Sequence, residues 1–177
     1  MASKINISKL LSQIDSFGHD ANRLAVAVTN ETTQGMVTQA QLRVVVDLGQ
    51  LRQSIGKTTA RVGYNVSFVF ANTPYAAFVE FGTGARVSIP KGFEKMASEF
   101  KGKKSGNFDS FLDAIRGWCQ THGIDPKLAY IIAVSILRKG LKPQPFLIPS
   151  YLEGIQQYPK TLRKVLEVQT RKYNAKK

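Results

Sequence analysis

Residues 64–84 read Tyr64-Asn65-Val66-Ser67-Phe68-Val69-Phe70-Ala71-Asn72-Thr73-Pro74-Tyr75-Ala76-Ala77-Phe78-Val79-Glu80-Phe81-Gly82-Thr83-Gly84. From Tyr64 to Ala71, Val66, Phe68 and Phe70 alternate with Ser67, Val69 and Ala71. That period of two, in β-branched and aromatic residues, predicts a strand. Because both of its faces carry apolar residues, the strand is expected to be central or covered by a helix. Asn72-Thr73-Pro74 ends it, since proline brings no N–H to a ladder and restricts the residue before it. The period then changes. Tyr75, Phe78, Val79 and Phe81 recur at helical spacing around Glu80, and Gly82-Thr83-Gly84 closes the turn where glycine tolerates positive φ. A strand followed directly by a helical turn points to a mixed fold.

Working outward, Leu11, Ile14, Phe17, Ala21, Leu24, Ala25 and Val28, then Met36, Val37, Ala40 and Val44, recur every three or four positions. They predict a helix over 8–44, bent or broken near Gly18 or Gly35, where glycine costs about 1 kcal/mol relative to alanine. A turn through 51–55 leads to a first short strand over 58–63. Downstream, 86–89 is a further strand candidate stopped by Pro90. Residues 91–107 form a glycine- and lysine-rich basic loop. Two punctuated helices follow. One has Asn107 as N-cap, a stripe of Phe108, Phe111, Leu112, Ile115, Trp118 and Cys119, and a stop at Gly123. The other has Asp125 as cap, Pro126 at the first helical position, and a stop at Gly140. Residues 141–149 hold three prolines and are expected to run extended. A short helix over 150–158 ends at Pro159, and 161–170 forms a separate basic helix. The expected fold class is α+β: a long N-terminal helix packed on a small antiparallel sheet, with an inserted helical hairpin and C-terminal helices. Residues 1–177 make one domain, with 91–140 as a basic loop plus helical-hairpin insertion.

The chain has 177 residues, of which 43% are apolar and 21% charged, a globular rather than a disordered composition. A domain this long buries about 70% of its unfolded surface. Lys and Arg outnumber Asp and Glu 25 to 12, for a formal charge of +13. Such a charge suggests an anionic partner, nucleic acid or a complementary protein surface. The lone Cys119 excludes a disulfide framework and any cysteine-based structural zinc site, and it fits a reducing compartment. The N-terminal stretch has no apolar run long enough for a signal peptide or a membrane span, so no membrane is expected.

Candidates for catalysis are few, and the chain is not expected to be an enzyme or to hold a cofactor or metal. Cys119 and His122 stand three apart on one helix, but Cys119 falls in the apolar stripe, where a core thiol is expected. Asp109 and Asp113 share a helix face, Asp109 in a first turn where it complements the helix dipole. Gly82-Thr83-Gly84 lacks the lysine of a phosphate-cradling loop and the third glycine of a dinucleotide fingerprint. The 108–139 hairpin has a helix-turn-helix outline, which makes a small basic DNA-binding protein the alternative function. Its second helix, however, offers Lys127 followed by Leu128, Ala129, Tyr130, Ile131 and Ile132, a face expected to be buried rather than to read bases. Lys101, Lys103 and Lys104 in the loop, with Arg171 and Lys172 in the tail, are the better candidates for DNA-facing phosphate contacts without sequence preference.

Three stretches taken in order resemble the neck and tail-completion (head–tail joining) proteins of long-tailed bacteriophages. They are Val46-Asp47-Leu48-Gly49-Gln50-Leu51-Arg52-Gln53-Ser54-Ile55; Val62-Gly63-Tyr64-Asn65 with Tyr75 to Gly84; and Arg138-Lys139-Gly140-Leu141-Lys142-Pro143-Gln144-Pro145-Phe146-Leu147-Ile148-Pro149. Their order and spacing extend over roughly residues 1–170, with Leu48 where a threonine is common in that family. The resemblance implies a structural virion protein, present in the host cytoplasm before assembly. It would form a homo-oligomeric ring, with a hexamer favoured, at the head–tail neck. Expected neighbours are the connector, adaptor or stopper ring on one side and the tail tube or terminator on the other. Tyr75, Phe78, Glu80, Phe81, Gly82, Thr83, Gly84, Pro145 and Phe146 are the structural-motif and possible interface residues. Glu80, if buried among its aromatic neighbours, needs a cationic or backbone partner.

Overall fold

A computed structural model describes residues 7–44, 49–73, 75–98 and 108–175. The described elements divide into two compact units, one built from residues 1–72 and 146–177, the other from 73–145.

The first unit is organised on two long helices, α1 (Ile7–Arg43) and α7 (Leu147–Asn174), which pair antiparallel. The apolar period of α1 explains its buried face. Val28, Met36, Val37, Ala40 and Val44 are all buried, whereas Leu11 and Ile14 at the other end of the stripe are 57% exposed. Burying a Val or Met side chain is worth about 1.5–3 kcal/mol, so the C-terminal half of α1 anchors the unit. The helix runs through Gly18 and Gly35 without the expected break. The seam with α7 is tied along its length. The ring of Phe17 meets that of Tyr173 edge-on at 5.1 Å. The hydroxyls of Thr29 and Tyr158 are 3.2 Å apart, and Arg43 donates to Ser150 and pairs with Glu153 at 2.6 Å. At Gly154 the helices come so close that a β-carbon would run into the Met36 side chain.

A short helix, α2 (Gln50–Ser54), leads into the sheet, two antiparallel strands β1 (Ile55–Lys57) and β2 (Val69–Ala71) in the register Ile55↔Ala71, Gly56↔Phe70, Lys57↔Val69. The strands are shorter and placed differently than the expected 58–63 and 64–71. The pairing starts at Ile55, in the stretch expected to be a turn. Beyond Lys57 the hairpin continues as an irregular ribbon, closed by a turn at Arg61 to Tyr64 with Gly63 at φ +87°. The reason is that polar side chains there take over the backbone. Asn30 of α1 donates to the Ala60 carbonyl at 3.0 Å and accepts the Ala60 N–H at 2.8 Å. Thr58 Oγ1 accepts the Phe68 N–H at 2.8 Å, and Ser67 donates to the Thr58 carbonyl.

Pro159 does not end a helix as expected; it lies inside the continuous α7, so 150–158 and 161–170 are parts of one element. Helix α7 also begins inside the stretch expected to be extended, at Leu147, with Pro149 in the first turn, where a missing N–H leaves no intrahelical bond unmade.

The second unit holds α3 (Ala76–Phe81), a single 3₁₀ turn at Gly84–Arg86, α4 (Glu94–Ser98), α5 (Phe108–Thr121) and α6 (Ala129–Lys139). Residues 87–89 form no strand. The N–H groups of Arg86 and Ser88 are spent on the carbonyls of Thr83 and Phe81. Asn107, the expected cap of α5, lies outside the described residues. Asp125 caps as expected, accepting the Lys127 N–H at 3.0 Å, and Pro126 opens a 3₁₀ turn that runs into α6. Helices α5 and α6 pack through Leu112, Cys119, Ala129 and Ala133, with Phe111, Ile115, Trp118, Ile124 and Ile132 around them. The small Ala129 and Ala133 form the seam. The face expected to be buried is therefore partly turned out, leaving Leu128, Tyr130 and Ile131 exposed.

Candidate assembly motif and basic surface

The aromatic and glycine-rich element Tyr75 to Gly84 is joined to the segment after α6 by backbone bonds. The Thr83 N–H donates to the Leu141 carbonyl at 3.0 Å, the Leu141 N–H returns to Thr83 Oγ1 at 2.8 Å, and the Gln144 N–H donates to the Val79 carbonyl at 2.8 Å. Two of the motif stretches singled out in the sequence are thus one structural feature. The glycines make the approach possible. A β-carbon on Gly82 would lie 2.7 Å from the Leu141 carbonyl oxygen and 2.9 Å from Pro143 Cδ, and one on Gly140 would collide with the Thr83 carbonyl. Both residues also have positive φ, +75° and +76°.

Within the motif, Glu80, Phe81 and Gly82 are buried, Phe78 and Thr83 are half-buried, and Tyr75 and Gly84 are exposed. Phe78 and Phe81, with Val87, Ile89 and Ala97, line an apolar cavity of about 180 Å³ beside the glycine loop. In the C-terminal stretch, Pro145 is exposed and Phe146 is buried at 1% exposure. The buried members can reach a neighbouring molecule only through the surface that they shape.

Of the basic candidates, Lys101, Lys103 and Lys104 lie outside the described residues. Arg171 and Lys172 are exposed on the last turn of α7. Lys160, Lys164 and Arg171 are exposed as well, and their spacing of four and seven residues places them on one side of α7. Near α4, the Glu94 carboxylate accepts the Gly92 N–H at 3.0 Å. Its own backbone N–H and that of Gly92 hold its pKa below the ordinary glutamate value.

Cys119 is fully buried, and the His122 ring stacks on Trp118 with centroids 4.6 Å apart. Asp113 pairs with Arg116 at 2.7 Å. Among the described residues, no group of three or more His, Cys, Asp and Glu side chains is placed to hold a metal ion. None of the described helices is long and apolar enough to cross a membrane.

Sequence reasoning missed the outer face of the hairpin. Tyr64, Val66, Phe68 and Phe70 are 61%, 42%, 58% and 43% exposed, so the strand expected to be central or covered presents one apolar face to solvent. Two signals marked it: the strict alternation, and the absence of any charged residue between Arg61 and Glu80.

Residues 8–82 match the family model HK97-gp10_like, described as "Bacteriophage HK97-gp10, putative tail-component". The match takes in α1, the hairpin and α3 and stops at the first glycine of the loop. Over this stretch, somewhat less than half of the chain, the protein is similar to a phage tail-component family, in agreement with the resemblance read from its motifs. No curated protein and no solved structure matches the chain.

Proposed function

We propose that the chain is a structural, non-enzymatic component of a tailed-phage virion that forms a ring at the head–tail junction and joins the connector to the tail. The observation that carries this reading is the tail-component match over 8–82. The linkage of the glycine loop to the segment after α6 supports it, because it turns scattered motif residues into a rigid surface feature. In the ring, a connector, adaptor or stopper ring lies on one side and the tail tube or terminator on the other. The exposed Tyr75, Gly84 and Pro145 are the motif positions open to a neighbour. The exposed basic side of α7 faces the DNA that passes through.

Electron microscopy of particles assembled without this chain tests the reading. Full heads beside finished, unattached tails are the expected outcome; normal virions would contradict it. For the basic surface, replacement of Arg171 and Lys172 by alanine is expected to flatten the salt dependence of duplex binding, by about one unit of log–log slope for each phosphate that is no longer neutralised.

A further inference from the structure

Helix α6 is built inside out. Its small residues Ala129 and Ala133 are buried against α5, whereas Tyr130, Ile131 and Leu137 are 58%, 65% and 62% exposed. Hydrophobic stabilisation grows with the apolar area removed from water, so a domain on its own gains most by turning its large side chains inward. Here they stay outside. Tyr130, the half-buried Val134 and Leu137 recur at i, i+4 and i+7, which sets them in one row along the helix. Lys127, in the 3₁₀ turn that runs into α6, forms a second row beside it with Ile131 and Arg138 at the same spacing. With Leu128 and Leu141, the exposed side chains leave roughly 500 Å² in water, in the range of the largest patch on a soluble monomer. The face is also held in place. The Phe108 ring meets that of Tyr130 edge-on at 6.1 Å, and the Leu141 N–H is bound by Thr83 just past the end of the helix.

Charge and area select the occupant. Lys127, Arg138, Lys139 and Lys142 are exposed, and none forms an ion pair with another described residue. A nucleic acid would answer these cations, but its phosphates leave the apolar row uncovered. An apolar row with cations one row over is instead the pattern of a helix–helix seam, in which the flanking charges choose the partner. That partner brings carboxylates. A second copy of this chain has no such helix to offer: α1 carries three acidic and three basic residues, α7 two and five, and α5, with two and one, exposes only Phe108 among its large apolar side chains. The patch is also smaller than the about 800 Å² that each partner gives to a standard interface, which suits one helix rather than a globular face. The row is one side chain wide and fits between the side chains of a facing helix, while sinking into a lipid surface takes a broader apolar face.

We propose that the outer face of α6 docks an acidic amphipathic helix of a different protein. The apolar row of that helix lies on Tyr130, Val134 and Leu137, and its carboxylates meet Lys127 and Arg138. The face lies outside residues 8–82, so the proposal rests neither on the family match nor on the ring reading.

Fluorescence anisotropy tests it with the full chain and a labelled synthetic helical peptide of about 18 residues, with leucines at i, i+4 and i+7 and glutamates beside them. Saturable binding that weakens with salt is expected; no binding overturns the proposal. The same peptide with lysine for every glutamate is expected to bind about ten-fold more weakly or worse, and equal affinity overturns it. Ile131→Gln/Leu137→Gln is expected to lose about ten-fold in affinity with unchanged far-UV circular dichroism, since both side chains are exposed. Lys127→Gln/Arg138→Gln is expected to flatten the salt dependence. Full affinity in both variants overturns the proposal. Light scattering and cosedimentation with phosphatidylglycerol vesicles separate the other occupants. A self-associated or vesicle-bound wild type that Ile131→Gln/Leu137→Gln releases assigns the face to a second copy or to lipid, and overturns the proposal.

Discussion

Gly140 shows how much one residue decides. It ends α6 at φ +76°, and an added methyl would strike the Thr83 carbonyl, so Gly140→Ala suffers both a strained backbone and a collision with a backbone atom that cannot yield. The expected loss of stability is about 2–4 kcal/mol in urea unfolding of the full chain. Gly117→Ala is the matched control. A β-carbon there meets nothing within 4 Å, and the exposed interior of α5 should gain up to about 1 kcal/mol. The residue types at the glycine loop are plain in the sequence. That Thr83 and Leu141, 58 residues apart, exchange hydrogen bonds is not, because no local pattern encodes which two turns will meet.

At the scale of elements, α7 departs furthest from what its local sequence suggests. Proline in a helix interior costs about 3 kcal/mol, and taken alone 150–158 would stop at Pro159. The helix continues because the seam with α1 holds both halves: Tyr158 meets Thr29 just before the proline, and Gln169 and Tyr173 reach Asp20 and Phe17 after it. Ile155, whose carbonyl loses its N–H partner, is exposed, so water can replace the missing bond. Pro159→Ala is therefore expected to raise stability by about 1–3 kcal/mol, measured as a higher melting temperature. The same contrast separates what was legible from what was not. The stripe of α1, the Asp125 cap and the glycine stops at Gly123 and Gly140 are local periodicities and turn chemistries, and they appear where the sequence puts them. The strands of the hairpin shifted because Asn30, on another element, supplies hydrogen bonds that a sheet neighbour would otherwise make. For the candidate site, the sequence offered the motif residues but not the exposed aromatic face, since alternation alone does not say which face has a partner.

Across the whole molecule, the first unit is made of the beginning and the end of the described chain, while 73–145 is continuous. A chain ended after residue 145 is therefore expected to keep the α5–α6 hairpin and lose the order of α1, which then has no helix to cover its buried stripe. Limited proteolysis checks this. Cleavage should come first within 7–43 and last within 108–139, whereas equal resistance of both would contradict it. The pairing of α1 with α7 also sets an order of events during synthesis. As the chain leaves the ribosome, α1 emerges before α7 and until then has only α2 and the hairpin to pack on, so the 73–145 unit completes itself while the part of the α1 stripe that α7 covers, Met36 among it, waits. The longest described helix is thus made well before the helix that completes its packing, and in that interval part of its apolar stripe stays open to water.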